Sequence, residues 1–206
     1  MTDFFALLGV PRRPWLEAGE LQTRFHKCSG ELHPDRLGHL PATERDAASA
    51  RYVNLNAAYQ CLRDPKQRLG HLLELELGAR TAEMRDIPAA LTDFFLALGP
   101  VLREVDAFLA GRDAEVSPLL RVQWFERGME WDEKLRAWQA RAREMQVALE
   151  AETRDLSGAW PAEATAGTTP PAATATLPRL GEVYRALSLL GRWQSQLQER
   201  LMKLMG

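Results

Sequence analysis

Two histidines and an aspartate lie close together in one short stretch of this sequence, at His33, Asp35 and His39. Imidazole and carboxylate groups at this spacing can bind a divalent metal ion, which would activate a water molecule for hydrolysis. The same stretch contains Pro34 and Gly38, and no further ligand residue lies nearby to complete and orient such a site. A metal-dependent hydrolase is therefore the least favoured of three hypotheses, and we predict no metal ion or other cofactor.

The sequence also lacks the common motifs of catalysis. It contains no nucleophile elbow, no P-loop, no dinucleotide-binding fingerprint and no His-Glu-x-x-His pair. We therefore predict that the protein is not an enzyme and that it acts by binding other molecules.

Composition narrows the class of partner. The 206 residues carry 26 Lys and Arg against 28 Asp and Glu, so no basic excess is available for the phosphates of a nucleic acid. The two cysteines, Cys28 and Cys61, are far apart, which favours a reducing compartment and inert packing roles. The first residues are acidic rather than basic, and no apolar run reaches the length of a membrane span. We expect a cytoplasmic protein with no nucleic-acid or membrane partner.

The elements around His33-Pro34-Asp35 are predicted to be helices, and the fold class is all-α. Apolar residues at helical spacing predict one helix over 17–33, which must end there because of Pro34. After the loop, a second seam predicts a helix antiparallel to the first, on the positions Ala48, Tyr52, Leu55, Tyr59 and Leu62. The tripeptide therefore lies on an exposed loop between two antiparallel helices.

Two shorter helices complete the first predicted domain, residues 1–77. Asp3 and Gly9 are the expected start and stop signals of a helix over 4–9. Asp64, as an N-cap followed by Pro65, predicts a fourth helix that ends before Gly78.

The second predicted domain, residues 78–206, is a three-helix bundle. A helix over 89–110 is expected to kink or break at Gly99-Pro100, and a long helix follows from Pro118 to about Leu156. Its tryptophans recur every seven residues, at Trp124, Trp131 and Trp138, which predicts a packed seam. Residues 157–177 are rich in Ala, Thr, Pro and Gly and predict a flexible loop, and a last helix begins at Pro178.

In this context the His-Pro-Asp tripeptide resembles a J-domain. It joins two helices, follows Phe-x-x-Leu-Gly-Val at 5–10, and precedes Leu-Asn-Ala-Ala-Tyr-Gln-Cys-Leu-Arg-Asp-Pro at 55–65. J-domains are the modules by which DnaJ-type co-chaperones engage the ATPase of a 70-kDa heat-shock chaperone of the DnaK type. The resemblance implies that His33, Pro34 and Asp35 stimulate ATP hydrolysis by that partner. It also implies a set of charged docking residues, Arg24, Lys27, Arg36, Asp64 and Arg68.

Among J-domain proteins the chain resembles the HscB family, whose members serve iron–sulfur cluster assembly. The J-domain is N-terminal, no Gly/Phe-rich or zinc-finger region follows, and the remaining chain is helical. The segment 62–73, Leu-Arg-Asp-Pro-x-x-Arg-x-x-x-Leu-Leu, is similar to that family's fourth helix. The resemblance implies an IscU-like scaffold protein as the second partner. By position, the expected scaffold contacts are Phe95, Leu96, Leu102 and Glu104.

The sequence departs from that family in the second domain, where Gly99-Pro100 interrupts the contact segment and acidic residues are fewer. A J-domain co-chaperone with a different client, or a bundle that self-associates, therefore stays open as the second hypothesis.

Overall fold

The computed structural model describes residues 2–31, 41–78, 87–114, 118–160 and 171–205. These residues form seven α-helices and no β-strand, which confirms the predicted all-α class. The helices are α1 (Phe4–Leu8), α2 (Ala18–Glu31), α3 (Ala42–Arg63), α4 (Pro65–Leu77), α5 (Ala89–Ala114), α6 (Pro118–Gly158) and α7 (Pro171–Met205). None of these helices combines the length and apolar character needed to cross a bilayer.

The predicted start and stop signals of α1 and α4 are present. The Asp3 carboxylate accepts hydrogen bonds from two N–H groups of α1, and the Asp64 carboxylate accepts one from the N–H of Gln67 at 2.8 Å. Gly9 and Gly78 follow α1 and α4 in the left-handed conformation, at φ 63° and φ 64°, which glycine adopts without a steric penalty. The ends of both helices are therefore set by local sequence.

The four N-terminal helices enclose a small apolar core. Helix α3 packs against α1, α2 and α4. The rings of Phe25 on α2 and Tyr59 on α3 stack at 4.4 Å between centroids. The fully buried side chains are mostly leucines, contributed by α1, α3 and α4: Phe5, Leu8, Leu62, Leu69, Leu72 and Leu73. This is the core that the sequence predicts for residues 1–77.

The packing divides the chain into two compact units whose boundary differs from the predicted one. One unit contains Met1–Met84 together with Glu150–Tyr184, and the other contains Arg85–Leu149 with Arg185–Gly206. In the first unit, the backbone N–H of Trp15 donates to the hydroxyl of Ser157 at 3.3 Å. A Cβ at Gly70 of α4 would lie 2.8 Å from the Tyr184 ring, so the glycine permits this close approach. The segment 150–184 thus packs with the N-terminal residues, although the sequence assigned it to the second domain.

The predicted loop at 157–177 is helical at both of its ends. Helix α6 continues to Gly158, and α7 begins at Pro171, with Pro178 inside it. Alanine is the strongest helix former, so the composition that suggests a linker also allows α7 to start earlier. Residues 161–170 of the predicted loop lie outside the described residues. At Pro100 the predicted break does not occur, because α5 continues through it.

The second unit is the predicted three-helix core. Buried residues of α5, α6 and α7 form one cluster, and Trp124, Trp131 and Trp138 pack against it partly buried. The Phe94 ring meets Trp138 edge-on at 5.2 Å and stacks on Trp193 at 5.5 Å. The tryptophan seam predicted from the seven-residue spacing is therefore confirmed as packing.

A buried histidine links α4 to the start of the chain. His71 is only 7% exposed, and its Nε2 accepts a hydrogen bond from the backbone N–H of Phe4 at 3.1 Å. The imidazole also stacks on the Phe4 ring at 4.6 Å. Burial lowers the pKa of His71 because it penalises the charged form, and the neutral ring is the one that accepts this bond.

We predict that folding stability decreases as the pH falls below the ordinary histidine pKa of about 6.5. The unfolded chain takes up a proton at His71 near that pH, whereas the native side chain takes it up only at lower pH. Urea unfolding at about pH 7.5 and about pH 5.5 should show this loss, and it should be smaller in His71→Gln, which does not titrate. His26→Gln removes an exposed histidine and should keep the wild-type dependence. An equal loss of stability in His71→Gln would contradict the assignment.

Candidate functional site

The candidate site for a chaperone partner is the junction between α2 and α3. Helix α2 ends at Glu31, and α3 begins at Ala42 after Pro41. The predicted residues His33, Pro34, Asp35 and Arg36, together with His39, lie between them, outside the described residues. The two helices therefore flank the tripeptide as the sequence predicts.

The cationic face of α2 leads toward this junction. Arg24 and Lys27 are three residues apart, which puts them on one side of the helix, and both are exposed. No carboxylate of the described residues forms an ion pair with either side chain. Arg24 also lines a cavity of about 400 Å³ beside Val10 and Glu20. An acidic partner surface would find both charges accessible.

The two residues predicted after α3 have structural roles. Asp64 is half-buried, and its carboxylate caps α4. Arg68 is only 3% exposed, and its guanidinium donates to the backbone carbonyls of Pro14 and Leu62, both at 2.8 Å. Burial lowers the pKa of Arg68 to about 10, which still leaves the side chain charged at neutral pH. The predicted surface contact at Arg68 is thus corrected to an interior one, because its charge is used by carbonyl groups of its own chain.

A tryptophan that the sequence analysis did not single out completes this interior contact. The Trp15 ring lies 5.3 Å from the guanidinium carbon of Arg68 and 4.4 Å from that of Arg154. Its indole N–H donates to the Glu17 carboxylate at 3.0 Å. Arg68 and Arg154 are far from Trp15 along the chain, so no local spacing could have revealed these two contacts.

The expected scaffold contacts on α5 separate into two groups. Phe95 and Leu96 are 41% and 63% exposed, although the Phe95 ring also stacks on Trp193 at 5.8 Å. Glu104 is exposed and pairs with Lys134 at 3.3 Å. Leu102 is instead half-buried against the core of its unit, which follows from its position on the inner side of α5. Three of the four predicted contacts are accessible to a partner.

The metal-ligand candidates His33, Asp35 and His39 lie outside the described residues. No group of three His, Cys, Asp or Glu side chains in the described ranges could hold an ion. Both cysteines are free and half-buried. Burial, assisted by the charges of Asp64 and Glu74, raises the pKa of the Cys61 thiol to about 11, so it stays protonated at neutral pH.

Comparison with known proteins assigns the N-terminal residues to a family of domains. Residues 3–70 match the DnaJ domain family, which agrees with the helices and caps described above. The chain therefore carries a J-domain, as its sequence predicts.

The particular J-domain proteins that it resembles are HscB co-chaperones. Two curated relatives are the HscB homologues of Aromatoleum aromaticum and of an Azoarcus species, each 38% identical over 73 residues. The match covers 35% of this chain and 41% of each relative, so it spans less than half of their length.

Solved HscB structures share the fold over almost the whole chain. HscB from Vibrio cholerae matches with a TM-score of 0.60 at 21% identity, over 96% of both chains. Human HscB matches with a TM-score of 0.58 at 17% identity, over 97% of this chain and 82% of its own. At these identities the likeness establishes the fold, and it extends the resemblance through the three-helix unit.

We predict that Arg68→Ala lowers the free energy of unfolding by about 2–3 kcal/mol, because two buried carbonyl groups lose a charged hydrogen-bond donor. Arg63→Ala is the matched control: Arg63 is exposed at the end of α3, and its loss should cost less than about 0.5 kcal/mol. Urea unfolding of both variants measures the difference. Equal stability of the Arg68 variant and the wild type would return this arginine to the set of surface contacts.

Proposed function

We propose that this protein is a co-chaperone that stimulates the ATPase of a DnaK-type 70-kDa chaperone through its J-domain. The observation that carries the proposal is the match of residues 3–70 to the DnaJ domain, with the His-Pro-Asp tripeptide between α2 and α3. His33, Pro34 and Asp35 act on the partner's ATPase, and the protein itself performs no chemistry. A cytoplasmic location is expected from the sequence alone and stays a prediction.

The exposed cations of α2 provide the docking surface in this proposal. Arg24 and Lys27 are accessible and form no ion pair with a carboxylate of the described residues, so both charges are available to an acidic patch on the chaperone. Such charges raise the association rate and fix the orientation more than they add affinity. Arg36 follows the tripeptide in sequence and belongs to the same set. Asp64 and Arg68 hold α4 and the 10–17 segment in place behind this surface.

The three-helix unit provides the second partner site. We propose that it binds an IscU-like iron–sulfur scaffold protein and delivers it to the chaperone. The resemblance to HscB supports this assignment, and the exposed pair Phe95 and Leu96 supports a contact on α5. Aromatic and aliphatic side chains of this kind contribute most when a partner covers them completely.

A different client is the alternative for this unit. The half-buried position of Leu102 removes one apolar contact from the predicted set, which leaves a smaller patch than the resemblance implies. The J-domain half of the proposal is independent of this choice.

We predict that His33→Gln abolishes the stimulation of single-turnover ATP hydrolysis by a cognate DnaK-type chaperone. The substitution removes the imidazole of the tripeptide and leaves the described helices untouched. His26→Gln, on the exposed surface of α2, is the control and should stimulate like the wild type. Stimulation that survives His33→Gln, or that is absent from the wild-type protein, would refute the J-domain proposal.

We also predict that adding IscU enhances this stimulation and that Phe95→Ser with Leu96→Ser removes the enhancement. Each lost apolar contact should cost about 1 kcal/mol of scaffold binding, which together is roughly a thirtyfold change in Kd. Val147→Ser, at another exposed apolar position, is the control and should bind the scaffold normally. Stimulation that is indifferent to IscU in the wild type would assign the three-helix unit to another client.

A further inference from the structure

A repeated pairing of tryptophan with a cation runs along α6. A basic residue follows each seam tryptophan by three positions, and each lies over its ring: Arg127 on Trp124, Lys134 on Trp131, and Arg141 on Trp138. The separations from the ring centroids are 5.3, 4.4 and 5.6 Å. We call these three side chains the cation row.

The two arginines of the cation row also lie over rings of α5. Arg127 is 5.4 Å from the Phe108 ring, and Arg141 is 5.6 Å from the Phe94 ring. As the α6 residue number rises, the number of its α5 partner falls, so the two helices are antiparallel and the row follows the groove between them. Each guanidinium is held by one aromatic side chain from either helix, which reduces its freedom without using its N–H groups.

Arg127 and Arg141 differ from five other cations of the same unit, which form ion pairs. Arg112, Lys134, Arg136, Arg200 and Lys203 each form an ion pair. In the described part of the chain, no carboxylate pairs with Arg127 or Arg141. Each has a glutamate three residues later on its own helix, Glu130 and Glu144, at a spacing where ion pairs form. Both arginines are exposed and present oriented donors to the solvent.

A cavity of about 390 Å³ lies at one end of the groove, beside Arg127. Its walls include Phe108, Trp124 and Trp131, and the small side chain of Ala107 leaves it open. The Trp124 ring is seated so closely on α5 that a Cβ at Gly111 would lie 2.9 Å from it. The cavity is therefore shaped for an apolar side chain next to a cation that binds carboxylates.

We infer that the α5–α6 groove binds an acidic amphipathic helix of a partner protein. Arg127 and Arg141 are fourteen residues apart, about 21 Å along α6 at 1.5 Å per residue. A helix lying in the groove brings two carboxylates at the same spacing onto one face, and each can accept two parallel hydrogen bonds from a guanidinium. An apolar residue beside the first carboxylate fills the aromatic cavity.

A protein helix fits this groove better than a nucleic acid does. Glu104 lines the cavity, and Glu130 and Glu144 follow the arginines, so a continuous phosphate backbone would meet three carboxylates. A helix can place its own apolar or basic residues at those positions. The site differs from the proposed scaffold contacts Phe95 and Leu96, since Phe95 stacks on Trp193 of α7, and it shares only Glu104 with the predicted scaffold set. The inference does not rest on the proposed function.

The test uses the full-length protein and a labelled synthetic helix with two glutamates fourteen residues apart on its leucine-bearing face. Fluorescence anisotropy should show that Arg127→Gln with Arg141→Gln weakens binding at least about tenfold. Moving the two glutamates to the opposite face of the peptide should weaken binding by a similar factor. Arg143→Gln removes an exposed arginine of the α6–α7 groove and should change the affinity less than about twofold.

Three outcomes would overturn the inference: no binding of the peptide, equal binding of both peptides, or equal weakening by Arg143→Gln. If single-stranded DNA binds more tightly than the peptide, and the double variant Arg127→Gln with Arg141→Gln abolishes that binding, the groove is a nucleic-acid site instead. Arg127→Lys with Arg141→Lys guards against a folding defect, because it keeps both charges; it should weaken binding about threefold through loss of the paired hydrogen bonds. The chaperone ATPase assay without client reads the J-domain alone, so either proposal can fail separately.

Discussion

The buried guanidinium of Arg68 joins three parts of the N-terminal unit, of which the segment before α2 is distant in sequence. It extends from α4, donates to the carbonyl of Pro14 in the segment before α2 and to that of Leu62 near the end of α3, and lies over the Trp15 ring. A buried charge is tolerated only where such partners replace water. The segment that leads into α2, the helix that carries Arg24 and Lys27, is held by this contact.

Those parts of the fold that short-range rules govern could be predicted from the sequence. Asp3 and Asp64 satisfy the free N–H groups of helices that begin next to them, and Gly9 and Gly78 adopt the left-handed conformation that ends a helix. The tryptophans of α6 recur every seven residues, which is enough to predict a packed seam without knowing its partner helices. The His-Pro-Asp tripeptide can be recognised from the sequence for a similar reason, because short motifs in the neighbouring helices accompany it.

The parts that escaped prediction depend on contacts between distant residues or on a balance of weak preferences. Nothing near Arg68 in the sequence indicates that its guanidinium donates hydrogen bonds to the backbone carbonyls of Pro14 and Leu62. The packing of Glu150–Tyr184 with the N-terminal residues requires the small volume of Gly70 beside Tyr184. No spacing in the sequence indicates that these two residues are neighbours. Residues 171–178 combine two prolines, which suggest a linker, with three alanines, which favour a helix, and the buried Leu177 shows that packing favoured the helix.

An arginine lies over a tryptophan ring in both units, and the two cases differ in what the N–H groups of the guanidinium contact. At Arg68, two donors end on backbone carbonyls in the interior, where the side chain stabilises the fold. At Arg127 and Arg141, the rings hold the guanidinium in the same way, but the groups are exposed and no described carboxylate pairs with them. An aromatic contact fixes the position of the charge at little cost to its hydrogen-bonding capacity. The same pairing therefore stabilises the fold where it is buried and prepares a binding surface where it is exposed.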